Sequence, residues 1–513
     1  EAESIIIATG SRPNIRVCPA EHPAAGAIVG GQSNMDVGQI SLLGVFIFCV
    51  ELAGLHAAVH AVMKGRTSQG AIAWVFALLL FPFVALPLYW VFGRNRFQGY
   101  FIARREGEGE VERLVADTLQ TYHREFSGKL EGAKHRFRSC ERLARLPFLS
   151  GNDVRLLIDG NETFDAILQG IDSAEEYIFA EFFIIKDDQL GREFQRRLIE
   201  KARQGVRVLL LYDEVGSHKL PKRYIQELTE AGIDVRSFRT TRGWRNRFQL
   251  NFRNHRKIVV IDGELAFVGG LNVGDEYMGR SERFGPWRDT HLAISGPAVK
   301  CIQLAFGEDW YWSTEGERTQ ATWMIESDSE ADRSVLVLPT GPADELETCG
   351  LFFSHIIHNA HERLWIASPY FVPDKDIMAA LHLASLRGVD VRILLPNRPD
   401  HLLVYLASFS FIDEAELTGV KFYRYQPGFL HQKVILVDND FAAVGTANFD
   451  NRSFRLNFEI TVAVADNGFA KEVEEMLERD FEQSRLVTAA EFQKRSFWFR
   501  LAAQSSRLMA PIL

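Results

Sequence analysis

The strongest pattern along the chain is a pair of apolar runs near its N-terminus. Residues 40–63 read ISLLGVFIFCVELAGLHAAVHAVM, broken only by Glu51, His56 and His60, and residues 70–92 read GAIAWVFALLLFPFVALPLYWVF without a charge. About 20 apolar residues suffice to cross a ~30 Å hydrocarbon core. Two such runs joined by a short polar stretch therefore predict a two-helix transmembrane hairpin over residues 35–93, with spans at 40–63 and 70–92. Pro82 and Pro87 predict a kink or a re-entrant turn in the second span, since neither offers an amide donor. Tyr89 and Trp90 fall where an interfacial belt would lie. Arg94, Arg96, Arg104 and Arg105 follow, against Lys64 and Arg66 in the joining loop, a bias that predicts the bulk of the chain in the cytoplasm. Glu51 within the first span is either an interhelical hydrogen-bonding group or a functional one.

Residues 94–145 read as a charged connector in which Arg136, Arg138, Arg142 and Arg145 would suit an anionic lipid surface or a solvated face. Beyond it, short apolar strands alternate with helical stretches, and the alternation occurs twice. YIFAEFFII at 177–185 matches LWIASPYFV at 364–372; ARQGVRVLLL at 202–211 matches SLRGVDVRILL at 385–395; AGIDVR at 231–236 matches TGVKFY at 418–423. The pattern predicts an α/β fold present in two copies, residues 146–330 and 331–513, the second ending in an amphipathic segment from Phe497.

Each copy ends in the same constellation. NHRKIVVIDGELAFVGGLN at 254–272 and HQKVILVDNDFAAVGTAN at 431–448 both hold His-x-Lys, four residues, Asp, six residues, then Gly-(Gly/Thr)-x-Asn. One His-x-Lys would be noise; two at equal internal spacing are not. His and Lys two apart on a strand share a face. An imidazole beside an ammonium and an amide is a nucleophile beside hydrogen-bond donors, which suits phosphoryl chemistry. The glycines let backbone approach a phosphate. Two facing sets would supply one His to attack phosphorus and one to protonate the leaving oxygen. No metal cluster is called for, and the five cysteines fall in no CxxC pair and no zinc-like spacing with His.

Composition changes the picture in one respect. With 58 Lys plus Arg, 67 Asp plus Glu and 47% apolar residues, the chain is a folded protein whose net charge of -9 argues against a nucleic-acid binder coated in positive charge. Residues 235–261 nevertheless hold eight basic residues and no acid, with Trp244, Phe248, Leu250 and Phe252 between them. Arg242, Trp244, Arg245, Arg247 and Phe248 are candidates for a lipid-interface contact, the plainer alternative being a solvated loop.

The paired motifs resemble the HKD motifs of the phospholipase D superfamily over roughly residues 148–484. WRDTH at 287–291, SPYF at 368–371, NRSFRLNFE at 451–459 and the N-terminal apolar pair narrow the resemblance to bacterial cardiolipin synthases. It implies duplicated phospholipase D-type α/β domains related by a pseudo-two-fold, and a phosphatidyltransferase that works without a metal or other cofactor. Phosphatidylglycerol would be the substrate, cardiolipin the product, the bacterial inner membrane the location, and nucleic acid no partner. The catalytic set it implies is His255, Lys257 and Asp262 with His431, Lys433 and Asp438, His255 being the nucleophile and His431 the acid and base, the reverse assignment standing as the alternative because the two halves are pseudo-symmetric. Asn272, Asn448 and Thr446 would contact phosphate; Asp289 and Glu459 would orient the histidine rings. Asp262 and Asp438 lie near strand ends, which favours a structural part for them, and Gly270 stands where the family often has Ser. Hydrolysis, transfer to another alcohol, a nucleic-acid phosphodiesterase and an idle membrane scaffold are the competing functions. Residues 1–34 fit none of this: SIIIATGSRP resembles a flavin-dependent disulfide reductase turn without the rest of its fingerprint, so an upstream or non-native segment before Met35 is expected.

Overall fold

A computed structural model of the chain describes residues 37–65, 67–93, 97, 100, 134–239, 251–323 and 332–512. Residues 1–34, most of the connector and the candidates Arg242, Trp244, Arg245, Arg247 and Phe248 lie outside the described residues.

Helix α1, Val37–Lys64, is long and apolar enough to cross a membrane. At 1.5 Å per residue its 28 residues reach ~42 Å. The second apolar run, expected as one span kinked or made re-entrant by its prolines, is two shorter helices, α2 (Ser68–Leu80) and α3 (Pro82–Phe92). Pro82 is the cause: without an amide it cannot continue α2 and takes the first position of α3, where no amide is needed. The carbonyl of Phe81 then accepts from Val84 and Ala85, so α3 resumes at once. Small residues let α1 approach: Ala57, Ala58 and Ala61 are buried against Leu78, Ala85, Leu86 and Tyr89. A Cβ on Gly54 would lie 2.8 Å from the Leu78 carbonyl oxygen. Leu42, Phe46, Phe48, Val59, Phe76, Leu80 and Phe83 point outward and exposed, as does Glu51.

The rest is built on one large mixed sheet flanked by helices, with two short two-stranded pairings beside it. The first half contributes β1 (Leu149–Ile158), β2 (Tyr177–Phe182), β3 (Arg207–Asp213), β4 (Asp234–Phe238), β5 (Ile258–Ile261), β6 (Leu265–Gly269) and β7 (Thr290–Ser295). The second contributes β8 (Arg333–Thr340), β9 (Arg363–Ala367), β10 (Asp390–Pro396), β11 (Lys421–Tyr425), β12 (Val434–Val437), β13 (Phe441–Gly445), β14 (Asn457–Ala465) and β15 (Ser484–Val487). The spatial order is β1-β7-β6-β5-β2-β3-β4 in one half and β8-β14-β13-β12-β9-β10-β11 in the other, with β15 added at the far edge. The halves meet where β1 pairs antiparallel with β8. The duplicated α/β fold is thus realised strand for strand, and one apolar core runs across the seam. Strands such as β2 and β12 are buried along their whole length because helices cover the sheet, which is why they read as unbroken apolar runs.

Two further expectations change. In the connector, helix α4 (Lys134–Ala144) is not a lipid-facing strip throughout, since Arg136 pairs with Asp438 and Asp440 of the second half. Of the basic run 235–261, Arg236 meets Asp234, Arg239 meets Glu214 and Arg256 is buried on Asp309. Phe252 is core, 5.5 Å from the Phe97 ring, so it does not dip into lipid. A charged side chain is buried only with its partner, and Asp309, 53 residues from Arg256, is a partner that local sequence does not reveal. The C-terminal helix Phe497–Arg507 packs Phe499 and Ala503 on the helix Leu402–Ala415, leaving Phe497 and Trp498 exposed.

Candidate active site

Both histidines sit at the entry to the same strand of their half, His255 before β5 and His431 before β12. The residues just ahead of each pair with the opposite half. Arg253–Asn254 runs parallel to Asn457–Phe458, and Phe429–Leu430 runs parallel to Trp287–Arg288. The backbone N–H of His255 donates to the Phe458 carbonyl at 2.9 Å, and that of His431 to the Arg288 carbonyl at 2.8 Å. In each case the next residue is the acid. Glu459 therefore meets His255 Nδ1 at 2.9 Å, and Asp289 meets His431 Nδ1 at 2.7 Å. Each carboxylate serves the histidine of the other half. A carboxylate only accepts, so Nδ1 carries the proton in His255 and Nε2 keeps its lone pair; His431 Nδ1 meets both Asp289 at 2.7 Å and Lys433 Nζ at 2.8 Å, and the charged Asp289 favours the same tautomer there.

The acids are themselves held. Glu459, with no exposed surface, accepts from the Thr446 hydroxyl at 2.6 Å and from Asn457 Nδ2 at 3.1 Å. Asp289 accepts from the Thr290 amide at 2.8 Å and faces the Trp287 indole N–H. This accounts for the Gly270/Thr446 departure. A Cβ on Gly270 would lie 2.0 Å from Asp289 Oδ1, so the shorter acid leaves no room for a side chain there. In the other half the longer Glu459 uses the hydroxyl that Thr446 provides. The Thr446 proton goes to Glu459, not outward to a phosphate as its place in the motif suggested.

Lys257 and Lys433 lie buried beside their histidines; Lys257 Nζ donates to the His255 carbonyl at 2.6 Å, and Lys433 Nζ to that of His431. Burial lowers both amines, Lys257 to about 7 and Lys433 to about 8, against the raising effect of Glu459 and Asp289. Burial also pushes His255 down to about 4, with Lys257 and Lys433 adding to it and Glu459 opposing. His431 is lowered by burial and Lys433. Burial alone would raise both acids, but His255 and Lys257 hold Glu459 below its usual range, and Lys433 and His431 do so for Asp289. Each histidine feels the lysine of the other half, so both motifs form one electrostatic cluster. Asn272 spends its carboxamide on the Ile184 amide (3.0 Å) and the Tyr277 hydroxyl (3.2 Å), whereas the buried Asn448 oxygen has no partner among the described residues.

Asp262 and Asp438, grouped with the catalytic set by their motif, do other work. Asp262 accepts from the amides of Glu175, Glu176 and Tyr177 at 2.7–2.8 Å, fixing the start of β2. Asp438 does the same for His361, Glu362 and Arg363 ahead of β9, and pairs with Arg136. Both have positive φ, 52° and 51°, which Asp tolerates better than most residues because its side chain bonds backbone locally. Replacing Asp438 with alanine is expected to cost about 2–4 kcal/mol by stranding backbone donors. Unfolding in detergent should show the loss, while protein that remains folded keeps its activity per molecule.

Sequence inspection passed over the layer beneath the histidines. Asn254 Nδ2 donates to Glu181 at 2.5 Å and to Asp309 at 3.0 Å, and Arg256 pairs with Asp309 at 2.6 Å. Burial and Asp309 raise Glu181 well above the carboxylate range. In the other half Asp480 accepts from Gln432 (2.7 Å) and from Arg288 (2.7 and 2.8 Å). A lone Glu in the apolar stretch 177–185 was the available signal. Among the described residues, no group of His, Cys, Asp and Glu is arranged to hold a metal ion.

A family described as "Cardiolipin synthase, PLD-like domain" matches residues 167–283 and 353–481, and one described as "Phospholipase_D-nuclease N-terminal" matches 56–94. Cardiolipin synthase A of Pseudomonas putida is 49% identical over 484 residues, 94% of this chain and all of that protein. The protein of the same name from Pseudomonas aeruginosa is 48% identical over 92% of this chain and 96% of its own. The crystal structure of phosphatidylserine synthase from Haemophilus influenzae superposes with a TM-score of 0.57 at 14% identity, covering 74% of this chain and all of that one, a likeness of fold.

Proposed function

The chain belongs to the cardiolipin synthase family of the phospholipase D superfamily, and on that premise we propose that it transfers the phosphatidyl group of one phosphatidylglycerol to another, giving cardiolipin and glycerol. The observation that carries this is the crossed pairing of His255 with Glu459 and His431 with Asp289, which leaves two Nε2 atoms available beside two lysines. His255 Nε2 attacks phosphorus; the phosphorus–oxygen bond to glycerol breaks, and His431 gives that oxygen its proton. A second phosphatidylglycerol then loses a hydroxyl proton to His431, its oxygen attacks phosphorus, and the bond to His255 breaks. Two phosphatidylglycerols become one cardiolipin and one glycerol. Lys257 and Lys433 bear the charge of the non-bridging oxygens, with Asn448 and Asn272 at the edge of the same cluster. Glu459 stabilises the cationic ring of phosphorylated His255, and Asp289 that of protonated His431. The phosphate anion, once between the lysines, raises the affinity of His431 for the proton it must donate.

Low proton affinity at His255 supports the role of nucleophile, because the neutral ring is the reactive one. The chemistry is complete without a metal, the lysines supplying the positive charge. α1 anchors the enzyme, with α2 and α3 together completing a hairpin in the bacterial inner membrane; both catalytic halves, 146–330 and 331–513, then lie on the cytoplasmic side, where arginines flank the spans.

Purified enzyme with labelled phosphatidylglycerol and a chelator is expected to form cardiolipin and glycerol in equal amounts. In such an assay kcat/KM should fall below about pH 4, as His255 gains a proton, and decline on the alkaline side as His431, held below the usual imidazole range by burial and Lys433, loses the proton it must donate, with a further fall above about pH 7 to 8 as Lys257 and Lys433 lose theirs. The alkaline limb of kcat should lie higher, since bound phosphate stabilises the charged amines. Absence of cardiolipin, or activity that vanishes with the chelator, would overturn the proposal.

A further inference from the structure

The two halves differ at one matched position facing the histidines. In the aligned stretches 177–185 and 364–372, Phe183 corresponds to Tyr370. The Phe183 ring lies 5.0 Å from the His255 ring and 5.5 Å from Lys257 Nζ. Backbone closes over it: a Cβ on Gly216, in the loop after β3, would come 2.8 Å from that ring. The His255 side is thus walled with carbon. After the corresponding strand β10, the loop instead carries Asp400 and His401. The Tyr370 hydroxyl donates to Asp400 Oδ2, and the Tyr370 and His401 rings meet edge on at 6.2 Å. The other Asp400 oxygen accepts from the His401 amide at 2.7 Å. The Asp400 charge acts on Lys433 of the His431 motif. Asp400 and Tyr370 are partly exposed and His401 is open to solvent. Arg283 reaches the Asp400 carbonyl, Phe284 next to it packs on Trp287, and Trp287 lies 5.1 Å from the His431 ring, which ties the group to the His431 side of the cluster.

We propose that Tyr370, Asp400 and His401 form the subsite for the glycerol headgroup, a vicinal diol, on the His431 side of the site. A carboxylate held at one oxygen by a phenol still has lone pairs for hydroxyl donors, and the phenol oxygen accepts as it donates. In an in-line displacement the incoming alcohol takes the place the leaving alcohol vacated, so this one subsite binds glycerol as it departs and the second phosphatidylglycerol as it arrives. The apolar Phe183–Gly216 wall, in contrast, faces the diacylglycerol portion that stays on phosphorus. The inference rests on His431 being the acid and base.

The test offers the full-length enzyme equal amounts of phosphatidylglycerol and phosphatidylethanol, which lacks the headgroup hydroxyls, in mixed vesicles. Wild type should consume phosphatidylglycerol preferentially. Asp400→Asn and Tyr370→Phe should each reduce that preference, read from the glycerol and ethanol released in the first turnover, by about 10- to 100-fold, the scale of a lost hydrogen bond to a charged group, while first-turnover ethanol release, which precedes acceptor binding, stays near the wild-type rate. The reverse reaction, free glycerol attacking cardiolipin, should weaken to the same degree. An unchanged preference, or equal loss on both donors, overturns the subsite. Failure of the underlying mechanism looks different: wild type would form no cardiolipin, or the trapped phosphoenzyme would carry its label on His431.

Discussion

Replacing His255 with alanine is expected to lower cardiolipin formation by about 10⁴-fold or more, and replacing His431 by a similar factor, because each removes a group the chemistry cannot route around. The two losses differ in kind. With a phosphatidyl ester of p-nitrophenol, whose anion departs without a proton, His431→Ala should release one equivalent of p-nitrophenol in a burst and then stall. His255→Ala should give no burst. The burst variant should hold its label on His255, stable to base and labile to acid as a phosphoramidate. The opposite pattern would assign the nucleophile to His431 and reverse the two roles.

The orienting acids should give the next largest effects, crossed between halves. Glu459→Gln leaves shape nearly intact but removes the charge that faces His255 Nδ1; phosphoenzyme formation is expected to slow by about 10²- to 10⁴-fold, the range seen when an acid behind a catalytic imidazole is neutralised. Asp289→Asn should act on His431 instead. It should depress turnover of phosphatidylglycerol while leaving the p-nitrophenol burst close to wild type. Stopped-flow bursts with both donors separate the cases. If Glu459→Gln spared the burst and Asp289→Asn removed it, each acid would be serving the histidine of its own half.

Much of this site was legible in the chain. The spacing of His255, Lys257 and Asn272 repeats at His431, Lys433 and Asn448, and repetition at fixed spacing is a property of sequence. Asp289 and Glu459 were also recognisable, as acids downstream of each motif. Which histidine each one holds was not, because Glu459 lies 204 residues from His255 and Asp289 lies 142 from His431. Nor could the fate of the basic run 235–261 be read. Arg256 looks like its neighbours until Asp309 is placed beside it in the core. Charge counts treat every arginine as surface.

What the sequence by itself determined is the duplicated α/β architecture, the apolar N-terminal runs and the reactive side chains, since each is written in local periodicity or in a motif whose parts are near neighbours. The tertiary structure decided what depends on contacts between the halves. The short strands Arg253–Asn254 and Phe429–Leu430 each cross to the opposite half and bring an acid behind each histidine. Pro82 and Pro87 announced a kink or re-entrant turn, but which of them ends a helix was decided in the structure: the break falls at Phe81–Pro82, while α3 continues through Pro87. The identities of Gly270 and Thr446 follow from the length of the carboxylate each must accommodate. In all three, a steric or hydrogen-bonding demand acts where chain periodicity carries no record of it.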